Sequence, residues 1–180
     1  MLAELVLVTN IAFTVCFDTK ANIPRWVAYD LEPHEVVWMK RLDFPFHADP
    51  RFPGTDLDAA YRGSGYDRGH MAPAADFNFD FNALYETYAF SNICPQDPKL
   101  NRGKWADEEA ELRELAKGGT VHILVFPGYD AGSTNRVGTA VVPDAFFKVA
   151  WGWFGVRLCS FPNRPITPRE PVRVPQDPAR

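Results

Sequence analysis

Between residues 63 and 113 the chain carries polar side chains that together could hydrolyse a phosphate ester. A neutral histidine can accept a proton from an attacking water near pH 7. An asparagine carbonyl is a hard oxygen of the kind that Mg²⁺ takes as a ligand, and arginines can neutralise phosphate oxygens through paired hydrogen bonds. The residues that offer such groups, with one glutamate among them, are Arg68, His70, Asn92, Asn101, Glu109 and Arg113.

Each of these residues also has an ordinary structural interpretation when it is considered alone. His70 follows a glycine and could be a turn or core residue, and Asn101 could simply cap a helix. Glu109 and Arg113 could form an ion pair along one helix face. It is therefore the combination of residue types, and not any single member, that favours phosphodiester chemistry.

The second half of the set lies on the strongest helix pattern in the chain, which predicts a helix over Arg102–Lys117. Two glycines follow and end it, and we expect Asn101 to be its N-cap. Glu109 falls in the apolar stripe, where an acid is costly unless it is paired or functional, and Arg113, four residues on, is placed to pair with it. The apolar members of the stripe are Trp105, Leu112 and Ala116.

Most of the remaining sequence predicts β-structure, because short segments rich in β-branched and aromatic residues alternate with turn residues. A weaker helix is predicted over Ala83–Tyr88, and residues 42–66 form a long irregular stretch of the kind that is often functional. The predicted strands are Ala12–Phe17, Trp26–Leu31, Glu35–Arg41, Val121–Phe126, Gly138–Val142, Phe146–Trp151 and Phe154–Phe161.

Length and composition indicate one domain with a sizeable core, because 46% of the 180 residues are hydrophobic, and this excludes collagen-like, coiled-coil and wholly disordered chains. We assign the domain to residues 1–161 and an extended Pro/Arg-rich tail to residues 162–180. Residues 1–156 hold 14 basic and 21 acidic residues, whereas residues 157–180 hold five arginines and two acids. A nucleic-acid partner therefore requires the few cations of an acidic body to be concentrated at the site.

Cysteine content and hydropathy give little indication of the subcellular location. Cys16, Cys94 and Cys159 are too few for a disulfide framework and lack metal-ligand spacing. We expect buried thiols, with one disulfide plus one free thiol left open. The apolar stretch at residues 5–16 has no basic residue before it, unlike a signal peptide, and no stretch has the roughly 18 apolar residues of a membrane span. The expectation is a chain without membrane association, cytoplasmic by default or exported if a leader precedes Met1.

Four ordered sequence elements carry a specific resemblance. They are Asp67-Arg68-Gly69-His70; Ser91-Asn92 with Pro95-Gln96; Leu100-Asn101 with Gly103 and Trp105; and Glu109 with Arg113. In these elements the chain resembles the DNA/RNA non-specific endonucleases, the sugar-nonspecific nucleases of the ββα-metal superfamily. Weaker similarity, which runs from residues 23–29 to residues 142–148, extends this resemblance over most of the chain. The resemblance implies an α+β fold, the ββα-metal nuclease fold, in which an antiparallel sheet packs against a metal-bearing helix.

The resemblance also implies a base and a metal site. His70 would be the general base that deprotonates the attacking water. Asn101 would be the single protein ligand of a Mg²⁺ ion, with Mn²⁺ or another divalent ion as the alternative. Glu109 would orient metal-bound water, and Asn92 would fix the surroundings of His70 or the metal shell.

Phosphate contacts follow from the same resemblance. Arg68 would hold phosphate, and Arg113 would stabilise charge beside Glu109. A further phosphate-binding arginine precedes the first motif in this family, and here Arg41 is the first candidate and Arg51 the second.

The implied function is a Mg²⁺-dependent endonuclease that cuts DNA and RNA alike and leaves 5′-phosphates, because its contacts are to backbone and not to base edges. Two alternatives stay open: a phosphodiesterase with a narrower substrate on the same scaffold, and a relative that binds nucleic acid without cutting it. A homodimer and a dedicated protein inhibitor are further partners that the sequence leaves open.

Overall fold

The computed structural model of this chain describes residues 4–36, 42–52, 54–129 and 132–164. The helices in these ranges are α1 (Asp58–Tyr61), α2 (Phe81–Thr87), α3 (Pro98–Asn101) and α4 (Lys104–Ala116), with 3-10 helices at Ala74–Phe77 and Phe90–Asn92. The strands are β1 (Leu5–Thr9), β2 (Phe13–Asp18), β3 (Ile23–Leu31), β4 (Asp67–His70), β5 (Ile93–Gln96), β6 (Val121–Gly128), β7 (Arg136–Val137), β8 (Ala140–Val141), β9 (Ala145–Gly152) and β10 (Gly155–Pro162).

Six strands form one antiparallel sheet in the order β1-β2-β3-β6-β9-β10. Buried and half-buried residues alternate along the whole of β6, as expected for a strand with one face against the core. Two smaller antiparallel pairs, β4-β5 and β7-β8, stand apart from this sheet. The α+β organisation predicted from the sequence is therefore present.

Helix α4 packs its apolar stripe against the sheet. The ring of Trp105 is fully buried, with its centroid 5.6 Å from that of Phe146 on β9 and 5.3 Å from that of Phe161 on β10. Leu112 and Ala116 are buried with it, which confirms the predicted stripe. Truncating a side chain of this size to alanine typically costs about 3–5 kcal/mol, so this contact fixes the helix against the strands.

Five of the seven predicted strands are present with shifted ends, as β2, β3, β6, β9 and β10. The prediction of one strand over Gly138–Val142 is wrong: Gly138 has a φ of +58° and lies in the turn that joins β7 to β8. The predicted strand Glu35–Arg41 is also wrong at its start, because Glu35 donates its backbone N–H to the carbonyl of Glu32 in a turn. Residues 37–41 lie outside the described ranges.

The predicted helices differ from the structure at their starts. Helix α2 begins at Phe81, before the predicted Ala83, because the Asp80 carboxylate accepts backbone hydrogen bonds at the N-terminus of the helix. Helix α4 begins at Lys104, because Gly103 has a non-helical φ and ψ of −118° and −114°. A Cβ at Gly103 would lie 2.6 Å from the carbonyl oxygen of Lys99. The prediction of Asn101 as the N-cap is therefore wrong, since this residue ends α3.

At the C-terminal end of the described chain, Asn163 is buried and belongs to the body of the fold. Its Oδ1 accepts from the backbone N–H of Asp97 at 2.7 Å, and its Nδ2 donates to the carbonyls of Pro95 at 3.0 Å and Pro143 at 2.8 Å. The body contacts thus run beyond residue 161, where the sequence places the start of the tail. Residues 165–180 lie outside the described ranges.

All three cysteines are free thiols, and Cys16 and Cys94 are buried. The expectation of buried thiols is confirmed for Cys16 and Cys94, whereas Cys159 is only half-buried. The longest described helix has 13 residues, and no helix in those ranges combines the length and apolarity that crossing a membrane requires.

Candidate active site

Strand β4 carries two of the predicted site residues on the same face. It pairs with β5 so that Arg68 lies opposite Pro95 and His70 opposite Ile93, and side chains two residues apart on a strand point to the same side. Both contact Phe46: its ring centroid lies 5.3 Å from that of His70 and 5.4 Å from the Arg68 guanidinium carbon. The structure therefore brings Arg68 and His70 together around one aromatic ring.

The glycine between them is required by close packing. A Cβ at Gly69 would lie 2.6 Å from the Cβ of Gln96, which is fully buried on β5. Because such a distance is sterically excluded, the Asp-Arg-Gly-His and Pro-Gln elements are matched to each other across the strand pair. The imidazole of His70 is further enclosed by Tyr88, whose ring lies edge-on at a centroid distance of 5.1 Å.

Arg68 is bound to an acid and yet reaches solvent. Its Nη2 donates to the Asp58 carboxylate at 2.7 Å and to the Asp58 carbonyl at 2.9 Å, and its side chain is 23% exposed. The other carboxylate oxygen of Asp58 accepts from Arg62 at 2.7 Å. That hydrogen bond, together with the charge of Arg68, holds the pKa of Asp58 below its usual range. Arg68 has five N–H donors, so the contact with Asp58 leaves donors for an anion.

Asn92 is fully buried, and backbone groups use both ends of its side-chain amide. Its Oδ1 accepts from the Ala72 N–H at 2.9 Å, and its Nδ2 donates to the carbonyls of Ala72 and Thr87, each at 2.9 Å. The backbone N–H of Met71 donates to the Asn92 carbonyl at 3.0 Å. The amide thus fixes the chain immediately after His70.

Asn101, at the end of α3, is tied to the strand that carries His70. Its Nδ2 donates to Asp67 Oδ2 at 3.0 Å, and Arg102 binds both oxygens of the same carboxylate, at 2.8 Å and 2.6 Å. Burial alone would raise the pKa of Asp67, but the hydrogen bonds from Arg102 and Asn101 outweigh it and hold the pKa below its usual value. Because the amide nitrogen of Asn101 bonds Asp67, its carbonyl oxygen is the end that could take a cation.

On α4, Glu109 and Arg113 have partners other than each other, so the predicted pair is wrong. Arg113 Nη1 donates to Asp76 Oδ1 at 2.8 Å, and Glu109 Oε1 lies 3.8 Å from Lys148 Nζ. The reason is tertiary: the 3-10 helix that carries Asp76 and the strand that carries Lys148 both pack against this helix. Burial raises the pKa of Glu109 to about 7, although the positive charge of Lys148 acts in the opposite direction.

The two upstream arginine candidates have different outcomes. Arg41 lies outside the described residues. Arg51 binds both carboxylate oxygens of Asp49, at 2.8 Å and 2.7 Å, and its Nη2 also donates to Asn10 Oδ1 at 2.8 Å. The Asp49 carboxylate accepts in addition from Ser91 Oγ at 2.5 Å. The guanidinium of Arg51 is therefore held by the protein's own acceptors, while its side chain is 39% exposed.

Most arginines of the described ranges form ion pairs with carboxylates, and two of these arginines belong to the basic C-terminal region. Arg157 donates to Glu108 at 2.7 Å and to Glu111 at 2.6 Å, and Arg164 donates to Asp144 at 2.8 Å. The arginines paired with carboxylates are Arg51, Arg62, Arg68, Arg102, Arg113, Arg157 and Arg164.

The donor atoms fit a largely hydrated hard cation. Within the described ranges, no group of three or more His, Cys, Asp or Glu side chains is placed to hold a metal ion. Asn101 offers a neutral carbonyl oxygen, and Mg²⁺ commonly retains several waters and takes few protein ligands. A divalent ion with one protein oxygen is therefore compatible with these residues.

Several contact residues of this region were not identified from the sequence, namely Phe46, Asp58, Asp76 and Lys148. The available signal was strongest for Lys148, because a single charge within the apolar run Phe-Phe-Lys-Val-Ala predicts a buried ion that needs a partner. Phe46 and Asp58 lie in the irregular stretch at residues 42–66, where no periodicity indicates which side chains face the site.

Comparison with known proteins places these observations in a family. A sequence profile of the DNA/RNA non-specific endonucleases matches residues 5–160. Mitochondrial endonuclease G of Homo sapiens is 30% identical over 185 residues, covering 89% of this chain and 61% of that protein. Mitochondrial nuclease EXOG of Homo sapiens is 38% identical over 104 residues, covering 56% of this chain and 28% of that protein. The chain thus spans about three fifths of the length of its endonuclease G relative.

A solved structure supports the same assignment. A chain in the crystal structure of an EndoG/EndoGI complex superposes with a TM-score of 0.79 at 26% identity, covering 92% of this chain and 77% of that one. This likeness confirms the predicted ββα-metal nuclease fold. With the profile match over most of its length, the chain belongs to the DNA/RNA non-specific endonuclease family.

Proposed function

We propose that this chain is a metal-dependent endonuclease that hydrolyses phosphodiester bonds in DNA and RNA. Family membership supports the reaction class. The observation that carries the proposal is the hydrogen bond from Asn101 to Asp67, 3.0 Å long. It joins the candidate metal ligand at the end of α3 to β4, the strand that presents Arg68 and His70.

In this proposal His70 is the general base. The imidazole accepts a proton from water as the water oxygen bonds to phosphorus and the P–O3′ bond breaks. The leaving 3′-oxygen takes a proton from solvent, the imidazolium returns its proton to solvent, and the phosphate stays on the 5′ carbon. The rings of Phe46 and Tyr88 pack against the imidazole and restrict its rotation. Preorganisation of this kind matters because a general base must lie within hydrogen-bond reach of the proton it removes.

Asn101 Oδ1 is the proposed protein ligand of a divalent cation, Mg²⁺ in the first instance and Mn²⁺ as the alternative. When bound beside the scissile phosphate, such a cation neutralises negative charge that develops on the phosphate oxygens. Asp67 holds the amide of Asn101 so that its carbonyl oxygen is available. The Glu109 carboxylate would orient water bound to such a cation.

Arg68 and Arg113 are the proposed phosphate contacts within the described residues. Their side chains are 23% and 24% exposed although each is paired with a carboxylate, so each can bind a substrate oxygen while its partner holds it in place. Arg41 remains a proposed third contact on sequence grounds. Contacts to phosphate carry no base information, which supports cleavage of DNA and RNA alike.

An inhibitor protein is a further proposed partner. The structurally similar chain is EndoG in complex with EndoGI, in a study of EndoG inhibition. A nuclease without base specificity would need restraint in a cell. A homodimer remains a prediction from the sequence.

Plasmid and RNA cleavage by the purified chain tests the function. We expect nicking of supercoiled DNA and degradation of RNA with Mg²⁺, and no cleavage with EDTA. His70→Ala should lose about 1,000-fold in rate, within the range typical of a general base. His122→Ala is the matched control, because His122 on β6 pairs with Asp30 on β3 at the solvent-exposed face of the sheet and should keep full activity. Intact plasmid and RNA across pH and salt would overturn the proposal, whereas cleavage of one strand form alone would favour the narrower phosphodiesterase.

A further inference from the structure

Lys148 on β9 is a buried ammonium that the roles proposed above do not use. Its side chain is 1% exposed. On the same face of the sheet its strand neighbours are Val125 and Cys159, and neither side chain can neutralise a positive charge. Because burying an unpaired charge is very costly, the ammonium requires a partner from another element.

That partner is on α4. Lys148 Nζ lies 3.8 Å from Glu109 Oε1 and 4.0 Å from the ring centroid of Trp105. Neither Nζ nor Oε1 has a hydrogen-bond partner within the described residues, so the interaction is one of charge. The Glu109 side chain is 13% exposed, which makes the attraction stronger than between two surface groups.

The neighbouring charges identify Lys148 as the counter-ion of Glu109. Asp76 already has Arg113 as an ion-pair partner at 2.8 Å and accepts a hydrogen bond from the Tyr29 hydroxyl at 2.9 Å. Two carboxylates and two cations therefore balance in this buried layer, with one cation for each acid. Removing Lys148 would leave Glu109 beside the carboxylate of Asp76 without its own counter-charge.

Glu108, the acid that precedes Glu109 on α4, has a cation of its own, although its charge also acts on Lys148. It is buried and binds Arg157 at 2.7 Å. The other groups that face Glu109 are thus Trp105 and Arg113 on its own helix, Asp76 on the 3-10 helix and Tyr29 on β3.

We infer that Lys148 is a positioning residue for cleavage, one that keeps the Glu109 carboxylate charged and in place. The inference rests on the proposed function, because it assigns Lys148 an effect on the rate through Glu109. Lys148 itself touches no substrate in this scheme.

The direction of the electrostatics supports this role. Burial raises the pKa of Glu109 to about 7, and the charge of Lys148 opposes that rise, as does that of Arg113, while Asp76 adds to it. Burial lowers the pKa of Lys148, and the carboxylates of Glu109 and Asp76 oppose this shift. Without the ammonium, Glu109 would ionise only at a higher pH, so the step that uses its carboxylate would need a more alkaline solution.

The first test is the pH dependence of plasmid cleavage by the full chain at saturating Mg²⁺. We expect Lys148→Met to lower the rate about fivefold at pH 7, to move the acid limb of the profile upward by about one unit, and to recover in part at pH 9. Lys148→Arg should restore the wild-type limb. Lys117→Met is the matched control, since Lys117 pairs with Glu114 on the surface at the C-terminal end of α4, the helix that carries Glu109. A folded Lys148→Met protein with the wild-type profile would overturn the inference.

A second measurement tests the pair without any activity. Melting temperatures of Lys148→Met, Glu109→Gln and the double variant form a cycle. We expect the melting temperature of the double variant to fall by less than the sum of the falls in the two single variants, because the double variant buries no unpaired charge. Additive losses would refute the pairing. If the wild-type chain cuts nothing, the proposed function fails, while this cycle still decides whether Lys148 and Glu109 are partners.

Discussion

The turn around Asn92 and the end of α3 around Asn101 each hold an asparagine from a recognisable motif, and the structure uses the two amides differently. At Asn92 the carbonyl oxygen and the amide nitrogen both bond backbone groups in the buried interior. At Asn101 the amide nitrogen bonds Asp67 in a partly buried position, and the carbonyl oxygen is the proposed ligand of a cation. The first amide holds the chain together, and the second can hold a ligand.

This difference shows that the role of a polar residue depends on the hydrogen-bonding capacity left after its internal bonds are made. A buried amide whose groups are all bonded contributes to stability and cannot bind a metal without breaking those bonds. An amide with one free end, held by a charged neighbour such as Asp67, is preorganised for a ligand. The two positions can therefore be separated by experiment, because one should govern stability and the other the rate.

The largest effect is expected at Asn101. Asn101→Ala removes the proposed metal ligand, so the cleavage rate should fall about 1,000-fold, which corresponds to about 4 kcal/mol, with a melting temperature close to that of the wild type. Initial rates over a Mg²⁺ titration measure the change. Asn82→Ala, at an exposed position on α2, is the control and should leave the rate unchanged. An Asn101→Ala protein that cuts at the wild-type rate would show that Asn101 is not the metal ligand.

A large loss of stability is expected at Asn92. Asn92→Ala removes three buried hydrogen bonds and leaves the backbone groups of residues 72 and 87 without partners, so the free energy of unfolding should fall by about 3 kcal/mol. Urea denaturation followed by circular dichroism gives this value. A variant that keeps its stability and loses only its rate would instead place Asn92 in the chemistry.

A third asparagine sharpens the comparison, because Asn163 resembles Asn92 in its bonds. Truncation after Pro162 removes its three hydrogen bonds to the backbone of Asp97, Pro95 and Pro143 and should lower the free energy of unfolding by about 2 kcal/mol. Truncation after Arg164 keeps them and should be nearly neutral.

The same pair of truncations bears on DNA binding by the tail. Residues 165–180 hold three arginines and two acids, and Arg157 and Arg164 are in ion pairs. Truncation after Arg164 should therefore change the low-salt affinity for DNA less than threefold, as measured by fluorescence anisotropy. A larger loss of affinity would show that the tail is a genuine contact.

The sequence predicted the elements whose signals are local. The stripe of Trp105, Leu112 and Ala116 is buried as expected, because helical spacing alone determines which side faces the sheet. Strands β2, β3, β6, β9 and β10 were predicted from their β-branched and aromatic residues.

The sequence could not predict which charged groups become partners. Arg113 was expected to pair with Glu109, four residues away, but its partner Asp76 is 37 residues away. Local helix spacing offers about 0.2–0.5 kcal/mol for an exposed pair, and tertiary packing readily overrides an energy of that size. The break at Gly103 was missed for a similar reason, since it depends on the nearby carbonyl of Lys99.

The pairing of arginines with carboxylates has a consequence for the way salt acts on this protein. Seven of the nine arginines in the described ranges already have an internal anion. The salt dependence of DNA affinity reflects how many phosphates a protein neutralises and how many condensed counterions it thereby displaces. Guanidinium groups that already hold carboxylates displace few of them. We therefore expect added salt to weaken the binding of a polyanion to the described surface only slightly, because few counterions are released on binding.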